Sequence, residues 1–360
     1  MSQWCFSQLD TWFFREARPY IFPPPARTVA GAVRTLIGEQ AEVDWEAFNK
    51  GDGTAHQLSK DINICQEIGD ANSFGNLRLR GIYLLCEGQR LYPVPLCLLQ
   101  KDEQFTRLRP GAPVECDLGF VRLPEQTIPG AKPMETAWLT AQALKQVLAG
   151  QNPSSYYQSE DLFKIEPRLG IAINQERRTM EDGMLYQNQH IRLREDKFQL
   201  EIGVMVEGID DALHPETGRV RFGGEGRLAS VTVSRSNLPQ LGHPDLSKTK
   251  NIMLTLLSPA NLGENWQPDG FSEVIENNEK VWRGSINGVE LTIISAVLGQ
   301  PIREGGWDLA NDEPREVISL IPAGSVWFCR LEKGNAADLH GYQIGLETAL
   351  GRGELAVGIW

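Results

Sequence analysis

Two alternating runs, Arg219-Val-Arg-Phe222 and Leu228-Ala-Ser-Val-Thr-Val233, are separated by Gly223-Gly-Glu-Gly226. Alternation of apolar and polar residues is the pattern of a half-buried strand, and glycine takes the positive φ angles that a tight reversal needs. The segment therefore predicts an antiparallel hairpin, which commits this part of the chain to an antiparallel sheet. The same three glycines leave bare backbone, and Arg221 and Arg227 flank them. Consecutive main-chain N–H groups can form an anion-binding concavity, and guanidinium forks match phosphate oxygens. The segment thus has two readings, a turn and a phosphate-binding loop built on Gly223, Gly224 and Gly226. It is neither a Walker loop, since no Gly-Lys-Ser/Thr follows, nor a dinucleotide fingerprint, since a strand comes next.

The rest of the chain is also strand-rich. Trp4–Leu9 reads as an opening strand, and Leu77–Cys86 with Arg90–Pro95 as a hairpin turning at Glu87-Gly88. Leu169–Asn174, Ile191–Arg194, Phe198–Val206, Ile252–Leu257 and Val326–Arg330 qualify as strands on β-branched and aromatic content. Helical spacing is clear twice. Val29, Val33, Leu36 and Ile37 recur after Pro23-Pro-Pro25, with Arg27 and Arg34 on another face, and Trp138, Ala141, Leu144, Val147 and Leu148 recur before Gly150. Few helices among mostly antiparallel strands predict an α+β fold. The linker-like Gln151-Asn-Pro-Ser-Ser155 predicts a boundary between domains 1–155 and 156–360.

The formal net charge of −12 argues at first against a polyanionic partner, because binding one draws on Lys and Arg. The distribution of that charge points the other way. Glu39 to Asp70 holds eight acidic and two basic residues, and Glu264 to Glu316 eleven and four, so the remainder is close to neutral and leaves room for a basic face. Six scattered cysteines without a Cys-x-x-Cys pair, and five dispersed histidines, make a zinc site an unpromising expectation and a reduced, cytoplasmic setting the simpler one. No apolar run is long enough to span a bilayer as a helix, and no signal peptide is expected.

Arginines recur beside aromatics and glycines: Arg15 and Arg18 among Trp12, Phe13, Phe14 and Tyr20; Arg27 and Arg34 on the first helix; Arg168, Arg177 and Arg178 around a strand; Arg352 between Gly351 and Gly353. Taken singly, each is an ordinary solvated or ion-paired residue. As a set they match what single-stranded RNA requires, namely stacking surfaces for bases and donors for phosphates.

The segments Phe13–Pro19, Pro25–Arg34, Glu166–Ile173 with Arg178, Gly183–Tyr186, Phe222–Arg227, Ile321–Val326 and the glycine-rich tail occur in an order that spans nearly the whole chain. In these residues the sequence resembles the RAMP (repeat-associated mysterious protein) subunits of type III-B CRISPR effector complexes, in particular the third protein of the Cmr module. The resemblance implies two ferredoxin-like, RRM-type domains that grip the repeat-derived 5′ handle of the CRISPR RNA. It also implies contacts to the large polymerase/nuclease subunit and to backbone RAMP subunits, with neither a cofactor nor catalysis in this subunit. Carried onto this sequence, the handle contacts fall on Arg15, Arg18, Arg27, Arg34, Arg168, Arg178, Arg221, Gly223, Gly224, Gly226, Arg227, Gly351, Arg352 and Gly353.

Some RAMP proteins cleave CRISPR precursors, so a metal-independent endoribonuclease is the rival reading. Such cleavage needs a general acid and base, usually with a histidine. His56, His190, His214, His243 and His340 each read as surface or structural, and Asp210-Asp211 and Asp312-Glu313 as solvated loops rather than Mg²⁺ ligands. No catalytic residue is expected.

Overall fold

Six strands drawn from the first 235 residues close into one antiparallel sheet, and six from the last 110 into another. The computed structural model describes residues 1–14, 22–53, 62–70, 73–174, 177, 179–235, 241–308 and 312–360, with backbone alone at 171–174 and 179–184. The first sheet uses β1 (Ser2–Gln8), β2 (Arg78–Cys86) and β3 (Gln89–Arg90), with helix α1 (Ala26–Gln40) between β1 and β2. Helix α2 (Ala141–Leu148) and a two-stranded ribbon of β4 (Phe163–Asn174) and β5 (Thr179–Leu193) follow. Strands β6 (Leu200–Glu207), β7 (Thr217–Arg221) and β8 (Leu228–Ser234) complete the first sheet. The second consists of β9 (Asn251–Leu256), β10 (Ser272–Glu276), β11 (Glu279–Ile286), β12 (Val289–Val297), β13 (Val326–Lys333) and β14 (Leu355–Ile359).

The strand orders are β7-β8-β1-β6-β2-β3 and β10-β11-β12-β13-β9-β14. Within each, four consecutive strands, β8-β1-β6-β2 in the first and β14-β9-β13-β12 in the second, follow one rule: numbered by their place in the chain, they lie fourth, first, third, second, with every neighbour antiparallel. The α+β, antiparallel expectation is met.

Helix α1 forms where the proline run ends. Pro25 is its N-cap, and Val29, Val33, Leu36 and Ile37 are buried as their spacing requires. Burying four such side chains contributes on the order of 6–12 kcal/mol before entropy is counted. They pack with Trp4, Phe6, Ile202, Val204 and Val231 of the first sheet. Helix α2, capped by the Thr140 hydroxyl accepting from the Ala143 amide, buries Ala143, Leu144, Val147 and Leu148 against Met253, Phe328 and Ala356 of the second. Trp138, which the spacing placed in this helix, lies in a short strand just before it. The other face of the second sheet is covered too, by Leu262, Phe271 and Leu339. This explains why Ile252–Leu256 is buried at every position, Thr255 included, rather than at alternate ones.

The division near residue 155 does not separate the sheets. The first takes β1–β3 from before it and β6–β8 from after it, while Tyr92, Val94 and Leu98 pack in the second sheet's core. Strand pairing is long-range here, so a polar linker in the sequence does not mark where one core ends. A clamp closes the seam: the half-buried Arg90 guanidinium lies 4.7 Å from the rings of both Tyr83 and Tyr92 and donates to both Glu354 oxygens, at 2.6 and 3.1 Å. Among the described residues, no helix is long and apolar enough to cross a membrane.

Candidate nucleic-acid interface

The glycine segment is the turn of the β7–β8 hairpin. Arg221 pairs with Leu228, the Phe222 amide donates to the Arg227 carbonyl at 2.7 Å, and the Arg227 amide to the Gly224 carbonyl at 3.3 Å. Gly223, Glu225 and Gly226 have φ of 89°, 56° and 66°. The turn is docked rather than free on one side: the Gly224 amide donates to the Phe13 carbonyl at 2.8 Å, and a Cβ on Gly223 would lie 2.5 Å from that oxygen. Gly226 has nothing within 4 Å of where a Cβ would stand. Phe222 anchors the base of the turn in an aromatic cluster with Phe6, Trp12 and Phe14, at centroid distances of 4.7, 5.1 and 5.4 Å. Trp12 and Phe14 are thus core residues, whereas half-buried Phe13 stacks on the ring of His190 at 5.2 Å.

Beside the turn lies a balanced charge network. Asp10 accepts from Arg227 at 2.9 Å and Arg192 at 3.1 Å, with Arg168 at 3.5 Å. Glu166 accepts from Arg168 and Arg192 at 2.6 and 2.7 Å. Glu225, carried by the turn, meets His190 at 2.9 Å and accepts from the Asn188 amide. Burial pushes the Asp10 carboxyl up, but the Arg192 hydrogen bond and the charges of Arg168, Arg192 and Arg227 outweigh it and hold it below the usual carboxylate range. Hydrogen bonds from Arg192 and Arg168 hold Glu166 low as well, and the bond to Glu166 holds the Arg192 guanidinium up. Burial, then the charges of Arg168 and Arg227, push the His190 imidazole down against the pull of Glu225. Three arginines thus face three carboxylates, tying the β4–β5 ribbon, the segment after β1 and the glycine turn together.

The other candidate residues are elsewhere. Arg34 donates to the Asp70 carbonyl at 2.6 Å with its guanidinium 5.7 Å from the Phe74 ring. Arg27 at the start of α1 donates to Glu347 and lies 3.9 Å from Glu304. Arg352 is only 2% exposed, with Nη2 2.5 Å from Glu304 and Nε 3.4 Å from Glu347. Its neighbours serve close packing: a Cβ on Gly351 would meet the Gly81 amide nitrogen at 3.0 Å, and one on Gly353 the Ile344 carbonyl at 2.0 Å. Arg15, Arg18 and Arg178 lie outside the described residues.

What remains open is strand β7. It is an edge of its sheet, and Arg219 and Arg221, two residues apart around buried Val220, are exposed on one face and make no ion pair among the described residues. Sequence reasoning missed Arg219, although the alternation Arg-Val-Arg already placed it on the face of Arg221. It also missed Arg192, whose role depends on Asp10, 182 positions away. Of the four described histidines, His190 is buried between Glu225 and the Thr11 hydroxyl, 3.0 Å away, and His340 bonds the Leu241 carbonyl and the Val357 amide. His214 meets the Ser2 hydroxyl and His243 the Pro244 carbonyl, both at 2.8 Å.

Residues 5–360 match the family model of the CRISPR-associated protein (Cas_Cmr3). Among solved structures, the chain is similar to one in "Cryo-EM structure of the Type III-B Cmr-beta bound to cognate target RNA and AMPPnP, state 1", at 15% identity and a TM-score of 0.48, covering 91% of this chain and 86% of that one. A chain in "Crystal structure of Csm3-Csm4 subcomplex in the type III-A CRISPR-Cas interference complex" is similar at 11% identity and a TM-score of 0.39, covering 93% and 96%. No curated protein matches.

Proposed function

Because the chain belongs to the Cmr3 family of CRISPR-associated proteins, we propose that it is a non-catalytic subunit of a type III-B effector complex that holds the 5′ handle of the CRISPR RNA. Its neighbours in this reading are the large polymerase/nuclease subunit and the backbone RAMP subunits, and its compartment is the cytoplasm. The strand order shared by β8-β1-β6-β2 and β14-β9-β13-β12 supports two ferredoxin-like units, each with one packed helix.

One observation carries the RNA assignment: Arg219 and Arg221 project side by side from an edge strand that leads into the open Gly226. Unpaired guanidinium groups gain most from phosphates, because they surrender no intramolecular partner. Arg227, in the turn at the end of this strand, is held by Asp10, and Arg168 by Asp10 and Glu166, so both are rigidly placed. The engagement of His190 and His340 on both ring nitrogens supports a holding role rather than acid–base chemistry.

The test is retention of handle RNA by the assembled complex as a function of salt. Arg219→Gln with Arg221→Gln should flatten the slope of log K against log salt by about 1.4, roughly 0.7 for each lost phosphate contact on a single strand. An unchanged slope removes the strip from the RNA site, and RNA cleavage by the purified chain overturns the non-catalytic assignment.

A further inference from the structure

A cleft of about 330 Å³ runs between the two sheets, where the chain leaves the proline run to enter α1. Its walls include Pro23, Ile82, Trp138, Leu257, Leu320 and Pro322. The Trp138 indole is oriented by its Nε1–H, which donates to the Ser159 hydroxyl at 3.1 Å, leaving the ring as wall. The size falls within the range of roughly 300–1,000 Å³ typical of preformed binding pockets.

Charge decides what the cleft accepts. Arg352 lies in its wall and Arg27 next to it, but both are spent on Glu304 and Glu347, so neither offers a free positive charge. Glu135, also in the lining, is exposed and makes no ion pair among the described residues. An apolar slot with one unpaired carboxylate repels a phosphodiester strand and suits apolar side chains accompanied by a cation. We propose that this cleft is a docking slot for an apolar polypeptide segment bearing a Lys or Arg opposite Glu135, supplied by a neighbouring subunit. The proposal rests on the subunit reading above and adds that protein and RNA bind at different places: protein at the inter-sheet cleft, RNA at the β7 edge. Hot-spot residues of protein interfaces are commonly side chains buried in such pockets.

The intact chain is tested against the separately purified large subunit and first backbone subunit by biolayer interferometry at low and high salt. Ala323→Trp, on the cleft wall, should weaken one of the two complexes by at least about ten-fold, the effect of losing one hot-spot contact. Glu135→Lys should weaken the same complex and reduce its salt dependence, with Glu135→Gln intermediate. Should Ala323→Trp fail to fold, the two exposed Glu135 variants decide the outcome by themselves. Wild-type affinity in all variants for both subunits overturns the proposal. So does loss of handle RNA instead of subunit, which would make the cleft a nucleotide site, or a shift in sedimentation of the chain alone, which would make it a self-association surface. A wild-type chain that binds neither subunit overturns the functional reading together with this one, a result distinct from unchanged variants.

Discussion

Arg352→Met separates a structural from an RNA-binding role for the arginine of the glycine-rich tail. Methionine keeps much of the aliphatic volume and removes the charge. It leaves the Glu304 side chain, 5% exposed, with Arg27 Nε at 3.9 Å in place of a 2.5 Å contact. Removing one partner of a buried pair costs about 3–5 kcal/mol, because the remaining charge is left poorly compensated. Retention of Arg27 places the expected loss near the lower end, about 3 kcal/mol, or a fall in Tm of about 6–12 °C for a folding unit of 150–250 residues. Adding Glu304→Leu should recover most of the loss, since replacing both charges by apolar groups is often close to neutral. The assay is thermal unfolding followed by circular dichroism, with handle RNA retention measured over a salt series on the same variants. A loss below about 1 kcal/mol, or a double variant no better than the single, refutes the buried-pair argument. A salt slope flattened by about 0.7 refutes the structural assignment, because only a phosphate contact produces it.

Two substitutions test the glycine turn. Gly226→Ala should cost about 1–2 kcal/mol, the penalty for an L-residue at positive φ with open space around it, whereas Gly223→Ala adds a collision with the Phe13 carbonyl and should cost about 2–5 kcal/mol. Equal losses in urea denaturation would show that the turn is not docked on Phe13. Acid should loosen the network around the turn. The lowered Asp10 and Glu166 contribute stability that is complete above the ordinary carboxylate range and is lost as pH falls through their folded values. The lowered His190 contributes stability that is complete above its ordinary value of 6.5 and is lost as pH falls through its folded value. The urea midpoint should therefore fall in two steps on acidification, and His190→Gln should abolish the upper one; a midpoint that rises from neutral to acid pH contradicts both assignments.

Legibility followed the range of the interaction involved. The Arg219–Val233 hairpin was readable because alternation and glycine conformation are local. The Glu87-Gly88 reversal was readable for the same reason, with φ of 51° and 72° at the two residues. The Val29–Ile37 spacing announced the face that α1 buries. The arginines were harder. Composition and spacing show that Arg168, Arg227 and Arg352 are present, but besides near partners such as Glu166 and Glu347 each has one 158, 217 or 48 positions away, at Asp10, Asp10 and Glu304.

By itself, the sequence determined the antiparallel character, the two core helices, the turn at Gly223–Gly226 and the family. Tertiary structure alone decided that the first sheet reaches across residue 155, that Arg352 turns inward, and that Arg219 and Arg221 have no carboxylate partner among the described residues. The physical reason is that propensity and periodicity act over a few residues, whereas strand pairing, burial and ion pairing are settled by neighbours that only folding brings together.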